Sequence, residues 1–306
     1  MTDASRESAS RKSASRKSWP DAHIPDQSGR TVIITGANSG LGADTAKALA
    51  ARGAQVILAC RNTDKADQVA AQIGPAATVR ELDLADLDSV RRFADSVDAA
   101  DILINNAGIM AVPLRRTAQG FESQMGTNHL GHFALTALLL PKISDRVVTL
   151  SSFMHLLGRI KLDDLNWERR IYRRWQAYGD SKMANLMFGL ELADRLREAG
   201  SEKKSFIAHP GIARTKLMGH SRSVYGPLMQ VFVRPLGQSS AAGARPTLLA
   251  AITSDAPSGT FFGPKLGVRG GPAKAGHAGR ANREAGREGL WEESEKLTGI
   301  GFDVTG

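Results

Sequence analysis

The sequence holds one cysteine, no long apolar run, and no acid where one kind of nucleotide site would need it. Cys60 stands alone among 306 residues, so no disulfide can form within the chain, and a reducing cytoplasm is the expected setting. The longest apolar run, Phe133–Leu140, is interrupted by Thr136 and stopped by Pro141, far short of a bilayer span. No apolar segment of the secretory type opens the chain. G-x-S-x-G does not occur, which argues against a serine-hydrolase nucleophile. His129, His132, His155 and His209 lack metal-ligand spacing and read as ordinary polar residues, so no metal is expected. The net charge of +9 raises nucleic acid or an anionic membrane as a partner, yet no nucleic-acid motif accompanies it. A solvated surface with an anionic cofactor is the simpler account.

What the chain does have is organised around Thr31–Gly42, T-V-I-I-T-G-A-N-S-G-L-G. The β-branched run Thr31–Thr35 favours a buried strand, and Ala43–Ala51 reads as a helix. Between them Gly36, Gly40 and Gly42 let a backbone turn approach a phosphate closely, while the helix N-terminus supplies N–H groups and positive potential.

Residues 1–28 precede this unit. Met1–Ser18 repeats S-R-K-S and carries five cations against two acids, too little apolar surface to offset the entropy of ordering, so it reads as a disordered basic tail. Trp19–Ser28 is a lead-in that can clip onto the domain. After the glycine turn, strands at Ala54–Cys60, Thr78–Leu82, Asp101–Ile104, Arg146–Leu150 and Lys204–Ala208 alternate with helices. These helices lie at Thr63–Ile73, Leu84–Val97, roughly Gly120–Leu140, and Tyr178–Leu196. Ser239–Ile252 reads as a helix, Gly259–Phe262 as a last strand, Gly267–Gly286 as a mobile surface loop, and Arg287–Leu297 as a closing helix. The alternation predicts an α/β fold: one doubly wound parallel sheet of about seven strands, a Rossmann fold over residues 29–306, with helices on both faces.

Ligands of such a sheet sit at the carboxyl ends of its strands, where Gly36, Arg61, Asp83, Asn105, Ser152 and Pro210-Gly211 fall in turn. A nucleotide site that selects NAD places an acid near the end of the second strand. Here that strand ends Cys60-Arg61, and a guanidinium suits a 2′-phosphate, so NADP is favoured over NAD. Tyr178 and Lys182 are four apart and share a helix face, where an ammonium can stabilise a phenolate and make tyrosine a usable acid/base. Ser152 or its neighbour Ser151 can hydrogen-bond a carbonyl oxygen as charge develops on it.

Together these residues closely resemble the short-chain dehydrogenase/reductase family. The resemblance rests on T-G-A-N-S-G-L-G at 35–42, N-N-A-G at 105–108, Y-G-D-S-K at 178–182 and H-P-G at 209–211. A-C-R-N at 59–62 and L-D-D-L-N-W-E-R-R at 162–170 are similar to its retinol-dehydrogenase-like branch, which generally uses NADP. The resemblance implies a tetrad of Asn128, Ser152, Tyr178 and Lys182, selecting Ser152 over Ser151. It implies cofactor contacts from Gly36, Asn38, Ser39, Gly40, Leu41, Gly42, Arg61, Asp83, Leu84, Asn105, Ala107 and Gly108. Tyr178, Lys182, Pro210, Gly211, Ala213 and Thr215 would complete the set. The implied reaction is hydride transfer between nicotinamide and a carbonyl or alcohol carbon, with Tyr178 moving the proton and Asn128 holding a relay water. The N-terminus has no membrane anchor of the sort several animal members carry, which argues against a membrane-bound retinoid role. Apolar residues of Leu217–Leu236, broken by Gly and Pro, suit a lid over a lipophilic aldehyde or ketone. The rival reading is a non-catalytic NADP(H)-binding sensor or scaffold, for which Tyr178 and Ser152 would have no use. A homo-oligomer is compatible with the sequence.

Overall fold

A computed structural model describes residues 24–212 and 238–304. The basic tail, the lid expected at Leu217–Leu236, and Ala213 and Thr215 lie outside the described residues. In chain order the elements are β1 (Thr31–Thr35), α1 (Gly40–Ala50), β2 (Gln55–Cys60), α2 (Thr63–Ile73), β3 (Ala77–Glu81), α3 (Leu87–Asp95) and β4 (Ala100–Asn105). There follow α4 (Gly131–Leu139), β5 (Ile143–Leu150), α5 (Arg174–Glu198), β6 (Lys204–Ala208), α6 (Ser240–Ile252), β7 (Phe261–Pro264), β8 (Pro272–Lys274) and α7 (Glu284–Thr298).

One eight-stranded sheet has the order β3-β2-β1-β4-β5-β6-β7-β8. The pairs from β3 to β7 are parallel, and only β7 with β8 runs antiparallel. The strands are apolar almost throughout because helices cover both faces. Val32, Ile34, Val56, Leu58, Ile102 and Ile104 pack with residues of α1, α2 and α6. Ile33, Ile57, Leu103, Val147 and Ile207 pack on the other face with residues of α3, α4, α5 and α7. The lead-in does clip on where it is described: Ile24 is buried in the α1 face, and Gln27 N–H donates to the Arg52 carbonyl at 2.7 Å. Cys60 ends β2 as a free, buried thiol, and burial pushes it up to about 11.

One expectation is refined and another needs correction. The helix expected over roughly Gly120–Leu140 is present from Ser123 to Leu139, but it contains a π-helical turn, Gly126–Leu130, between its first turn at Ser123–Met125 and α4. A π turn takes in more residues than an α turn, so it rotates Asn128 relative to the apolar stripe. The stretch expected as a mobile loop at Gly267–Gly286 carries β8 and a 3₁₀ turn, Gly279–Asn282. Its small residues allow close approach rather than looseness, since Ala278 and Ala281 are buried. Arg280 donates to the carbonyls of His155, Leu156 and Gly158, and Ala278 N–H donates to His155 Nε2 at 3.2 Å.

Gly131 shows how tightly the layers meet. A Cβ there would stand 2.3 Å from the Leu84 carbonyl oxygen, a backbone atom that cannot swing away. Replacing it with alanine adds about 1 kcal/mol of helix propensity, whereas overpacking costs typically ~1–3 kcal/mol. Gly131→Ala is therefore expected to lower the urea midpoint. A midpoint at or above the parent's would show that α4 can shift freely.

Candidate active site

The glycine turn lies between the carboxyl ends of β1 and β4, where the strand order reverses and a doubly wound sheet opens a crevice. Gly36 and Gly40 have φ of +65° and +54°, a region costly for residues with a side chain. A Cβ on Gly42 would lie 2.6 Å from Asn106 Nδ2 and 2.7 Å from the Gly36 carbonyl oxygen. Only glycine fits at that crossing. Ser39 caps α1 in extended conformation without a side-chain cap bond, and the first turn of α1 has no acid. The turn thus presents N–H groups and positive potential with no anion of its own, a cradle that fits a phosphate group. Asn38 and Leu41 belong to the same turn and helix start.

The other expected cofactor residues divide by what their side chains already do. Arg61 is 72% exposed and lies 3.7 Å from Asp83, its acid partner across the β2–β3 ends. Asp83 Oδ1 accepts from Ala85 N–H at 2.9 Å, which shapes the turn after β3, and Leu84 is buried in the core. The Asn105 amide faces inward and donates to Thr136 Oγ1 at 2.8 Å, so toward the crevice it offers only backbone. Ala107 and Gly108 continue that turn. The Pro210 carbonyl accepts from Gln238 Nε2 at 3.0 Å, and Gly211 has φ of +67°.

Asn128, Ser152, Tyr178 and Lys182 are all buried. The structure brings them together around Gly108 and the start of α5. A Cβ on Gly108 would stand 3.1 Å from Asn128 Oδ1 and 3.5 Å from Lys182 Nζ. Asn128 Oδ1 accepts from Ile109 N–H at 2.8 Å, while Nδ2 donates to the Ile109 carbonyl and to Ser181 Oγ at 2.9 Å each. Its side chain clamps the N-N-A-G turn rather than reaching toward Lys182. Lys182 Nζ donates to the Leu150 carbonyl at 3.1 Å and sits 6.0 Å from the Tyr178 ring centre. The two adjacent serines separate cleanly. Ser151 Oγ donates to the Lys182 carbonyl at 2.7 Å, whereas the Ser152 hydroxyl stands beside the Tyr178 phenol.

Burial dominates the electrostatics. It pushes the Tyr178 phenol up to about 12, with the Ser152 hydroxyl pulling weakly the other way, and pushes Lys182 down to about 8. The expected lowering of Tyr178 by Lys182 is not seen: burial raises the phenol, and Ser152 is what opposes it.

Sequence reasoning missed Thr35, Asn106 and His132. Thr35 Oγ1 accepts from the N–H groups of Asn106 and Ala107 at 2.9 Å each, and lies 2.9 Å from His132 Nε2. His132 Nδ1 lies 2.9 Å from the Asn128 carbonyl, which can only accept, so Nδ1 carries the proton. Burial holds this imidazole neutral, at about 3, so Nε2 accepts from the Thr35 hydroxyl. The glycine turn, the N-N-A-G turn and the Asn128 backbone are thereby joined through one ring. The spacing of Asn128 and His132, four apart on a helix, was the available signal.

Comparison with known proteins matches this geometry. The sequence profile described as short chain dehydrogenase matches residues 30–163. Human retinol dehydrogenase 13 is 39% identical over 295 residues, covering 89% of this chain and 85% of its own length. Human retinol dehydrogenase 12 is 40% identical over 290 residues, covering 90% and 88%. A crystal structure of an uncharacterised protein from Mycobacterium paratuberculosis superposes with a TM-score of 0.81 at 50% identity, covering 92% of this chain and 98% of that one. With Asn128, Ser152, Tyr178 and Lys182 assembled near the glycine turn and relatives of this extent, the chain belongs to the short-chain dehydrogenase/reductase family of oxidoreductases, in its retinol-dehydrogenase-like branch.

Proposed function

We propose that the protein is an NADP(H)-dependent oxidoreductase that interconverts a lipophilic aldehyde or ketone and its alcohol, working in the cytoplasm with Tyr178 as acid/base. The observation that carries this reading is the buried Ser152–Tyr178 pair with Lys182 four residues on, facing the turn that holds Gly108. When bound, the nicotinamide exchanges the hydride with the substrate carbon. In reduction the Tyr178 phenol gives its proton to the carbonyl oxygen, and in oxidation the phenolate takes the alcohol proton. Ser152 donates to the same oxygen as negative charge gathers there. Lys182 favours the phenolate electrostatically, and its ammonium is in place to bind a ribose hydroxyl. Asn128 keeps Gly108 and Ile109 in position against the tetrad.

The preference for NADP rests on Arg61. Its exposed guanidinium stands at the end of β2 with the neutral Cys60 before it, so a 2′-phosphate could draw it from the weak pair with Asp83. The lipophilic substrate is suggested by the apolar sequence of Leu217–Leu236 and by relatives named retinol dehydrogenases.

Three measurements test these assignments. Tyr178→Phe keeps the ring and removes the proton, so turnover of an aldehyde panel should fall by at least ~10²-fold while NADPH still binds. Near-normal turnover would end the Tyr178 assignment. Arg61→Ala should weaken NADPH roughly tenfold or more, as loss of a charge-assisted hydrogen bond does, with NADH little changed. Equal weakening of both would remove the basis for NADP. The third test concerns Lys182, whose folded value of about 8 lies below its ordinary 10.5. Between those values the unfolded chain binds more protons, so the group's contribution is full above 10.5 and is lost as pH falls through 8. Stability of the parent relative to Lys182→Met should rise from pH 8 to 10.5, by on the order of 3 kcal/mol at most. A flat difference would mean that Lys182 is not desolvated.

A further inference from the structure

α5 begins without the devices that usually secure a helix start. Its N-cap, Arg173, makes no side-chain cap bond, and its first turn holds no acid. Tyr178 stands only four residues after Arg174, where the helix begins. The place of the phenol is therefore set by whatever else holds this end of α5.

A buried carboxylate on the other side of the helix does this. Tyr178 and Lys182, four apart, share one face, and Asp180, two from each, turns away from both. The Asp180 side chain is 1% exposed. Its Oδ1 accepts from Arg159 N–H at 2.8 Å and from Gln176 Nε2 at 2.7 Å, and its Oδ2 lies 3.3 Å from Arg170 Nη2. Burial pushes the Asp180 carboxyl up, and these three partners oppose it. Arg170 is itself held in place. Its Nε lies 3.1 Å from Asp164 Oδ2, its Nη2 donates to the Asp164 carbonyl at 3.1 Å, and its guanidinium stands 3.7 Å from the centre of the Trp167 ring. Trp167 is buried with φ of +54°, a conformation that a bulky residue keeps only where its surroundings over-determine it. Asp164, Trp167 and Arg170 all belong to L-D-D-L-N-W-E-R-R at 162–170, a loop shaped around one guanidinium that it aims at α5.

The start of α5 also lies directly on the loop that follows Ser152. A Cβ on Gly158 would stand 2.4 Å from the Gly179 carbonyl oxygen, and one on Gly179 would stand 3.1 Å from the Met154 carbonyl oxygen. A shift of the helix start therefore changes the spacing between Tyr178 and Ser152. We propose that Arg170 is a positioning residue: through Asp180 it fixes the start of α5, and with it the place of Tyr178 beside Ser152. It acts from behind the helix and meets none of the reacting atoms. Its effect on rate rests on the reading of Tyr178 as the acid/base.

Arg170→Met, Asp180→Asn and the double variant test the proposal, read by NADPH oxidation with the aldehyde panel and by amide hydrogen exchange. In each single variant kcat should fall about tenfold, and in the double no further, while the NADPH dissociation constant moves less than about twofold. Arg170→Met strands a buried carboxylate and can unfold the chain, whereas the double variant removes both charges. Exchange over residues 175–182 should quicken in the same non-additive way. Losses of kcat that add, or a folded double variant with the parent's kcat, overturn the proposal. So does NADPH affinity that falls in step with kcat, which would place the effect at the cofactor site. Exchange at the parent's rate in the double variant overturns it as well. A parent that oxidises NADPH with none of the aldehydes would sink the reaction proposed above. The exchange measurement, which needs no substrate, would then still decide whether Arg170 holds α5.

Discussion

The hydroxyl of Thr35 is the point on which the site depends. It accepts hydrogen bonds from two backbone N–H groups of the turn after β4 and donates one to His132 Nε2, so its hydrogen-bonding capacity is filled. Without it the half-buried Ala107 N–H and the imidazole nitrogen would lose their partner, each loss costing up to about 1–3 kcal/mol, while Asn106 N–H would keep only the Ile104 carbonyl. The arrangement works only if His132 is neutral and protonated on Nδ1, and burial enforces the first condition. A core contact between one strand end and one helix thus ties the turn after β4 to the Asn128 backbone.

Desolvation is the second organising effect. The same burial that lifts Tyr178 lowers Lys182, so the two groups, nearly equal in ordinary proton affinity, are driven apart and both are favoured in their neutral forms. Burial opens a gap between Lys182 at about 8 and Tyr178 at about 12. In the proposed reaction, proton exchange through Tyr178 would depend on what charge and water reach it, which would place control of the chemistry in the residues that line its approach.

Much of this was legible in the residues. β-branched runs ending in glycine or polar residues marked the strands of the parallel sheet, because a strand covered on both faces must be apolar throughout. The tetrad and glycine turn were readable because they combine rare residue types at fixed spacing. Asn105 could have been oriented by alternation: it shares a face with Leu103 and so turns toward α4, away from the crevice. The π turn at Gly126–Leu130 was not readable, since one altered turn inside an apolar helix leaves no change in composition. Nor was β8, whose three residues include a proline and are too few to show alternation. The ambiguity between Ser151 and Ser152 was resolved by packing, which turns Ser151 onto the backbone of α5.

Cys60 has a practical consequence. As the sole cysteine, buried at the end of β2 with its thiol held up at about 11, it carries almost no thiolate at neutral pH. A cysteine placed on the exposed loops between β5 and α5 would then be the only thiol to react with a maleimide. Spin labels or fluorophores can be attached at single positions on the native background, so the orientation of the catalytic end can be measured without first removing any residue.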